Sequence, residues 1–244
     1  MTPRRILRLT GRDTVDFLQG LVTNDVARLK DGLVYAALLT PQGKYIADFF
    51  LARDGESVLL DVAEPLADDL VRRLGMYKLR ADVAIAPAGL NLQRGTGPAP
   101  EGALPDPRHP AMGWRAYTEA PASDDGSDWD AIRVAHGIPE SGIELTADTF
   151  ILEAGFETLN GVDFRKGCYV GQEVTARMKH KTELRKGLAR VAVTGRAPVG
   201  TPITAGDKPV GTLYTQAGGA GLAYLRFDRA GGAMQAGDAQ VALI

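Results

Sequence analysis

The sequence predicts an α+β fold of antiparallel sheets and helices, followed by a small antiparallel β-barrel or sandwich. Three observations lead there. Through residue 95, short apolar runs alternate with stretches of helical periodicity. A proline-rich connection then occupies 96–110. From about Leu184 the texture changes to short apolar strands separated by Gly, Pro and Asp turns. The chain is therefore divided into an α+β region at 1–183, open to subdivision near 96–112, and a C-terminal barrel at 184–244.

Taken in order, RILRLTG reads as a strand, because Ile6, Leu7 and Leu9 precede the break at Gly11. DTVDFLQGLV reads as a helix, with Asp13 as N-cap and Val15, Leu18 and Val22 on one face. LVYAALLT, the turn PQGK and YIADFFLA form a hairpin whose tip is set by Pro41 and Gly43, and RDGE turns the chain into the strand SVLLDVA. In EPLADDLVRRLGMYKLR, Pro65 suits a first helical turn, Leu66, Leu70 and Leu74 make an apolar stripe, and Gly75 is the expected terminator. ADVAIAP is a further strand. The prolines of 96–110 exclude it from sheet and helix and make it a surface connection, after which SDWDAIRVAHG reads as a capped helix ending at Gly137. The barrel strands are GLARVAVTG, TPITAGDKPVGTLYTQ, GLAYLRFD and DAQVALI.

Composition narrows the function classes. With 45% hydrophobic and 24% charged residues, the chain is globular rather than disordered. LVYAALL at 33–39 is far short of the roughly 18 to 20 apolar residues that span a bilayer, and MTPRRILRLT has no secretory-signal core. A soluble, cytoplasmic protein without a membrane partner is expected. Its one cysteine, Cys168, cannot form an internal disulfide and agrees with a reducing compartment. Although the whole chain carries −2, residues 165–190 hold eight Lys and Arg against Glu173 and Glu183, so this segment is suited to meet anions.

That segment opens with RKGCYVGQE at 165–173. Gly167 and Gly171 free the backbone to approach a ligand closely, and GQEVTARMKHK beyond them reads as a helix whose first amides would face an anion. The order matches neither G-x-G-x-x-G nor a Walker loop. Two readings of Cys168 stay open at this level: a small buried hydrophobe, or a thiolate favoured by Arg165 and Lys166. With one Cys and only His109, His136 and His180, no metal or cluster site can be completed within one chain, so a cluster bound at Cys168 would be shared with a partner.

LNGVDFRKGCYVGQEVTARMKHKTELRKGL closely resembles the signature region of the YgfZ-type folate-binding proteins, whose hallmark is K-G-C-Y-x-G-Q-E. These are relatives of the aminomethyltransferase, or T-protein, of glycine cleavage. The hallmark is complete at Lys166, Gly167, Cys168, Tyr169, Gly171, Gln172 and Glu173. FLQGLVTNDV (17–26) and LLTPQGKYIADFFL (38–51) resemble two N-terminal blocks shared with the T-protein, MYKLRADV resembles a later block, and the last strands resemble the family's terminal barrel.

The resemblance implies a T-protein-like fold and a tetrahydrofolate-binding factor, or one binding a one-carbon derivative, that serves assembly or repair of iron–sulfur clusters. Its partners would be a cluster carrier or client enzymes, among them a tRNA methylthiolation enzyme, with no direct nucleic-acid contact. It further implies that Cys168 is the functional thiol and Lys166 its cationic neighbour, while Asn24, Asp48, Tyr169, Gln172, Glu173 and Arg177 belong to the folate pocket. Lys179, Lys181, Arg185 and Lys186 are either part of an anion-binding lining or a solvated face. The alternative is a true aminomethyltransferase; the T-protein hairpin carries an acidic pair where this chain has Ala47-Asp48, one carboxylate fewer. RNA binding ranks last, since the basic segment offers only Phe164 and Tyr169 for stacking and the pI is near 6.0.

Overall fold

A computed structural model describes residues 2–180 and 183–244; Lys181, one of the cations named above, lies outside the described residues. By Cα proximity the chain divides into two compact units, one of Met1–Ser127 with Glu157–Val174, the other of Asp128–Phe156 with Thr175–Ile244.

The first unit is built on strands β1 (Arg4–Thr10), β2 (Val34–Leu39), β3 (Tyr45–Asp54), β4 (Ser57–Ala63) and β5 (Ala84–Pro87), in the antiparallel order β2-β3-β4-β1-β5. Side chains alternate across a strand, and both faces of this sheet are used. Leu7, Leu9, Val34, Ala36, Leu38, Ala47, Phe49, Leu51, Val58, Leu60 and Val62 form an apolar core with Leu18 of helix α1 (Thr14–Gln19) and Leu70 and Leu74 of helix α2 (Glu64–Lys78). Leu70 and Leu74 are fully buried, each worth roughly 2 kcal/mol of apolar transfer.

The alternate residues Arg4, Tyr35, Asp48, Phe50 and Asp61 supply a second face that is buried yet polar. A smaller sheet in the order β7-β8-β6-β9 provides its partners, with β6 at Asn91–Gly95, β7 at Leu104–Pro105, β8 at Trp114–Thr118 and β9 at Ser123–Asp124. Asp61 accepts from Arg4 Nε (2.6 Å), Arg115 Nη2 (2.6 Å) and the Tyr117 hydroxyl (3.0 Å). Arg108 forks onto Asp106 at 3.0 and 2.7 Å, and the Phe50 ring lies 3.9 Å from the Arg115 guanidinium carbon and 4.8 Å from that of Arg108. Burial works against the Asp61 carboxylate, but Arg4 and Arg115 outweigh it and hold its pKa down at about 2.

Four expectations need correction. Helix α1 stops at Gln19, so Val22 is not on its face, and Val15 is 43% exposed. Asp13 precedes α1 without capping it; its carboxylate accepts instead from Asp82 N at 2.8 Å. Helix α2 runs through Gly75 to Lys78 and ends at Leu79, whose φ of 46° makes that residue the actual break; a solvent-facing Gly in a helix costs only about 1 kcal/mol and does not stop it. Finally, 96–110 is not all surface connection. It contributes β7, begins a short 3-10 turn at Pro110, and buries Asp106 and Arg108, because the ion pair satisfies both charges where the prolines alone gave no sign of it.

In the second unit, helix α3 (Trp129–His136) is capped by the Asp128 carboxylate, which accepts from Ala131 N at 3.0 Å. Arg133 of this helix is buried against Glu144 (3.0 Å) and donates to the Thr215 hydroxyl (2.9 Å). Helix α4 spans Gln172–Lys179, of which Thr175–Lys179 belong to this unit. Strands β10 (Lys186–Thr194), β11 (Thr201–Ala205), β12 (Lys208–Ala217), β13 (Ala220–Arg226), β14 (Met234–Ala236) and β15 (Ala239–Leu243) form a closed barrel in the order β10-β13-β12-β11-β14-β15. Closure comes from β10, which pairs with both β13 and β15. Strand β14, only three residues long, was not among the strands read from the sequence.

Candidate functional site

The hallmark loop takes its shape from its own sequence. Asp163 Oδ1 accepts from the backbone N–H of Arg165 (2.7 Å) and Lys166 (3.3 Å), turning the chain just before the motif. Beyond that turn the side chains sort by direction. Lys166 and Tyr169 are buried at 8% exposure each, while Gly167 and Cys168 between them are exposed. Cys168 is therefore presented to solvent, which excludes the buried-hydrophobe reading of that residue.

Lys166 Nζ donates to three backbone carbonyls, those of Gln19 (2.8 Å), Val22 (2.5 Å) and Asn24 (3.1 Å), and stands 5.2 Å from the Tyr169 ring centroid. Burial pulls its pKa down to about 8, with the nearby Asp25 and Asp163 carboxylates opposing, so the group is charged at neutral pH. The carbonyls belong to the end of α1 and the turn after it, the block FLQGLVTNDV. Further bonds tie the same two segments: Asp163 N donates to Thr23 O (3.0 Å) and the Thr23 hydroxyl to Gly161 O (2.7 Å).

The hairpin block meets the loop from another side. Gly171 has φ +83°, and a Cβ there would lie 2.6 Å from Thr40 O and 3.2 Å from Gly43 Cα. Only a residue without a side chain lets the backbone pass so close. Three of the blocks that carry the resemblance, at 17–26, 38–51 and 166–173, thus meet around one loop.

The other residues assigned to a folate pocket differ in their surroundings, Asn24 and Asp48 being buried and both bonded to Tyr35. Asn24 is buried, with its amide donating to Tyr35 O and Asn160 O (both 2.7 Å) and its oxygen accepting from Asp25 N (2.9 Å). Asp48 is buried between hydroxyls, Tyr35 donating to Oδ2 (3.0 Å) and Tyr45 to Oδ1 (2.6 Å). Burial first, then the Asp48 charge, push the Tyr35 pKa well above its usual value and keep its hydroxyl protonated. On α4, Gln172 is half-buried, and Glu173 and Arg177 are exposed.

A residue not singled out from the sequence is Glu153, 7% exposed in the second unit. It lines a cleft of about 830 Å³ with Met178, Glu183, Leu184, Arg185, Lys186 and Arg226. The Tyr224 hydroxyl donates to its carboxylate, and Lys186 Nζ stands 3.8 Å away. Its trace in the sequence is a lone carboxylate inside the apolar run FILEAGF. Among the described residues, no group of three His, Cys, Asp or Glu is arranged to hold a metal ion, and no helix is long and apolar enough to cross a membrane.

Residues 185–244 match the family model of the CAF17 C-terminal β-barrel domain. Over the longer chain, the mitochondrial iron-sulfur cluster assembly factor IBA57 of Homo sapiens is 30% identical, the alignment covering 91% of this chain and 75% of the human protein. This chain belongs to the IBA57 family. The Mycosarcoma maydis IBA57 homologue is 34% identical over 75% of this chain, and the chain spans about half the length of the fungal relatives, 54% of that one and 51% of the Neurospora crassa homologue. The aminomethyltransferase T of the glycine cleavage system from Bartonella henselae superposes with a TM-score of 0.75 over 98% of this chain and 81% of its own, at 13% identity. The IBA57-family chain therefore has the aminomethyltransferase-like fold with a closed six-stranded barrel. One expectation is overturned here: the IBA57 relatives are named as mitochondrial, against the cytoplasmic reading. That reading rested on the lack of an apolar secretory core, a feature that amphipathic organelle leaders do not carry either.

Proposed function

We propose that this IBA57-family chain is an iron–sulfur cluster assembly factor of the YgfZ type, which binds tetrahydrofolate and offers Cys168 as a ligand for a cluster shared with a carrier or client enzyme. The observation that carries the reading is the exposure of Cys168 on a loop that buries Lys166 and Tyr169 on either side of it. A thiol so presented reaches a cluster held by another protein, and one thiol leaves the remaining ligand positions to that partner. The relatives named as assembly factors support the same role. Clients include, on this reading, a tRNA methylthiolation enzyme.

The folate part rests on the fit between ligand and cleft. A pterin offers adjacent N–H donors that a buried carboxylate can accept, and the glutamate tail is anionic. Glu153 supplies such a carboxylate, and Arg185, Lys186 and Arg226 supply cations. Bound folate would bring a one-carbon carrier. The chain's own residues would orient it: Glu153 by accepting from the heterocycle, the three cations by pairing with the carboxylates. Asn24 and Asp48 do not enter this lining, because their polar atoms are held by Tyr35, Asn160 and the two tyrosine hydroxyls. The same engagement of both Asp48 oxygens, with Ala47 standing where the T-protein hairpin has its other carboxylate, gives no support to aminomethyl transfer.

Two measurements test the reading. Anaerobic calorimetry with tetrahydrofolate should give saturable binding that weakens at least tenfold in Glu153→Gln, the loss of a charged hydrogen-bond acceptor. Incubation with a carrier loaded with a [2Fe–2S] cluster should give a complex with visible absorbance for the wild type and not for Cys168→Ala. Cluster co-binding that survives the alanine substitution would refute the role given to the thiol.

A further inference from the structure

Every N–H of the Lys166 ammonium is occupied. The group has three donors, and three carbonyl oxygens stand within 3.1 Å of Nζ, from Gln19, Val22 and Asn24. Nothing remains with which to donate to a neighbouring sulfur. The residue is buried while Gly167 and Cys168 are exposed, so its side chain and the thiol leave the backbone towards opposite surroundings. The three carbonyls lie in the segment that closes α1, where the helix leaves acceptors unpaired and a cation is favoured by the helix dipole. The ammonium thus satisfies acceptors that would otherwise be stranded in a buried turn, and in doing so fixes that turn to a loop about 140 positions away.

Other contacts restrict the same loop. Thr23 holds Gly161 and Asp163, and Gly171 is wedged against Thr40 and Gly43. The stretch between those two anchorages, 164–170, forms no regular secondary structure; Lys166 and Tyr169 are its buried residues, and the half-buried Val170 packs against the apolar core.

We infer that Lys166 is a positioning residue: it holds the hallmark loop on the turn after α1 so that Cys168 is presented in one fixed orientation, and it does not serve as the cation that activates the thiol. The inference rests on the proposed role of Cys168. It differs from the role that the motif resemblance gave Lys166, that of an electrostatic neighbour.

The two roles separate experimentally. Lys166→Met keeps length and bulk but removes the donors, and Lys166→Ala leaves space that propylammonium can refill. Amide hydrogen exchange should accelerate about tenfold or more in 19–25 and 161–171 together in the Met variant, the size expected from losing hydrogen bonds to a charged group. In the same variant β1–β4 and the barrel should keep their protection, and propylammonium should restore slow exchange to the Ala variant. The pH midpoint of Cys168 alkylation by iodoacetamide should match the wild type. A raised alkylation midpoint with unchanged loop exchange would overturn the inference and make Lys166 a thiol-activating cation. Loss of protection throughout the five-stranded sheet would also overturn it, since the residue would then support the fold at large. A cluster assay on the same proteins separates this from the larger reading: loop protection lost in Lys166→Met, with wild type unable to take up cluster, would uphold the clamp and sink the assembly role.

Discussion

Gly171 and Thr40 are so close that a Cβ on the glycine would stand 2.6 Å from the threonine carbonyl oxygen, at a φ of +83° that side-chain-bearing residues rarely adopt. The contact joins the hallmark to the β2–β3 hairpin tip and locates the end of the loop. Gly171→Ala should cost about 2–4 kcal/mol in urea-unfolding stability, combining backbone strain with the forced separation of two backbones. Gly167→Ala is the control: nothing lies within 4 Å of a Cβ there, and its effect should stay within about 0.5 kcal/mol.

The polar face of the first sheet should make the protein acid-sensitive at an identifiable residue. Asp61 has a folded pKa of about 2 against an ordinary 3.8. Its contribution is present above the unfolded value and is lost as pH falls through the folded one, in the window from about 4 to 2. Unfolding free energies measured across that window should fall for the wild type and fall less steeply for Asp61→Asn. At neutral pH the same variant should be destabilised by about 3–5 kcal/mol, because Arg4 and Arg115 remain buried without their counter-charge.

Lys166 should give a slope of the same sign in a more alkaline window. Its folded pKa, about 8, lies below the ordinary 10.5, so between those values the unfolded chain binds a proton that the folded one does not. Stability attributable to this residue therefore rises with pH across that interval. Subtracting the Lys166→Met curve from the wild-type curve between pH 8 and 10 should isolate a positive slope; a flat difference would show that burial does not penalise the ammonium.

At Asp48 the expected effect is one of satisfied donors. Asp48→Ala removes the carboxylate that accepts from the hydroxyls of Tyr35 and Tyr45 in a buried site and should cost about 2–4 kcal/mol. Asp48→Asn keeps a carbonyl acceptor and should cost less than half as much. Equal losses in thermal scans of the two variants would mean that packing, not hydrogen bonding, fixes this position.

How much was legible in the sequence followed from range. The strands of the first sheet, α3 and the barrel texture are local patterns that could be read from neighbours a few positions apart, whereas β6–β9 and β14 are too short or too polar to show in the sequence. The two-sided use of the first sheet was half visible: the apolar alternation in β2–β4 marked one face, but Tyr35, Asp48 and Asp61 on the other gave no sign of Arg108 and Arg115 more than 50 residues away. Cys168 was found through its motif, and its exposure came only with the structure. Lys166 was named for its proximity in sequence to the thiol, whereas its partners lie in the turn after α1. Glu153 went unnoticed because one carboxylate in an apolar run has no partner within hearing distance in the chain; its cleft is completed by residues from 178 to 226.

The ring of strands in the second unit has an implication for shortened versions of the gene. Strand β10 pairs with β15 along Val191–Thr194, so the ring is shut by a strand that follows its other five in sequence. A premature stop codon falling between β14 and β15, at residue 237 or 238, would leave β10 and β14 each with a bare row of amides and carbonyls, open to pairing with a second nascent chain. Nonsense alleles of that kind should yield insoluble product rather than a trimmed but working protein, even though every residue of the hallmark would already have been translated.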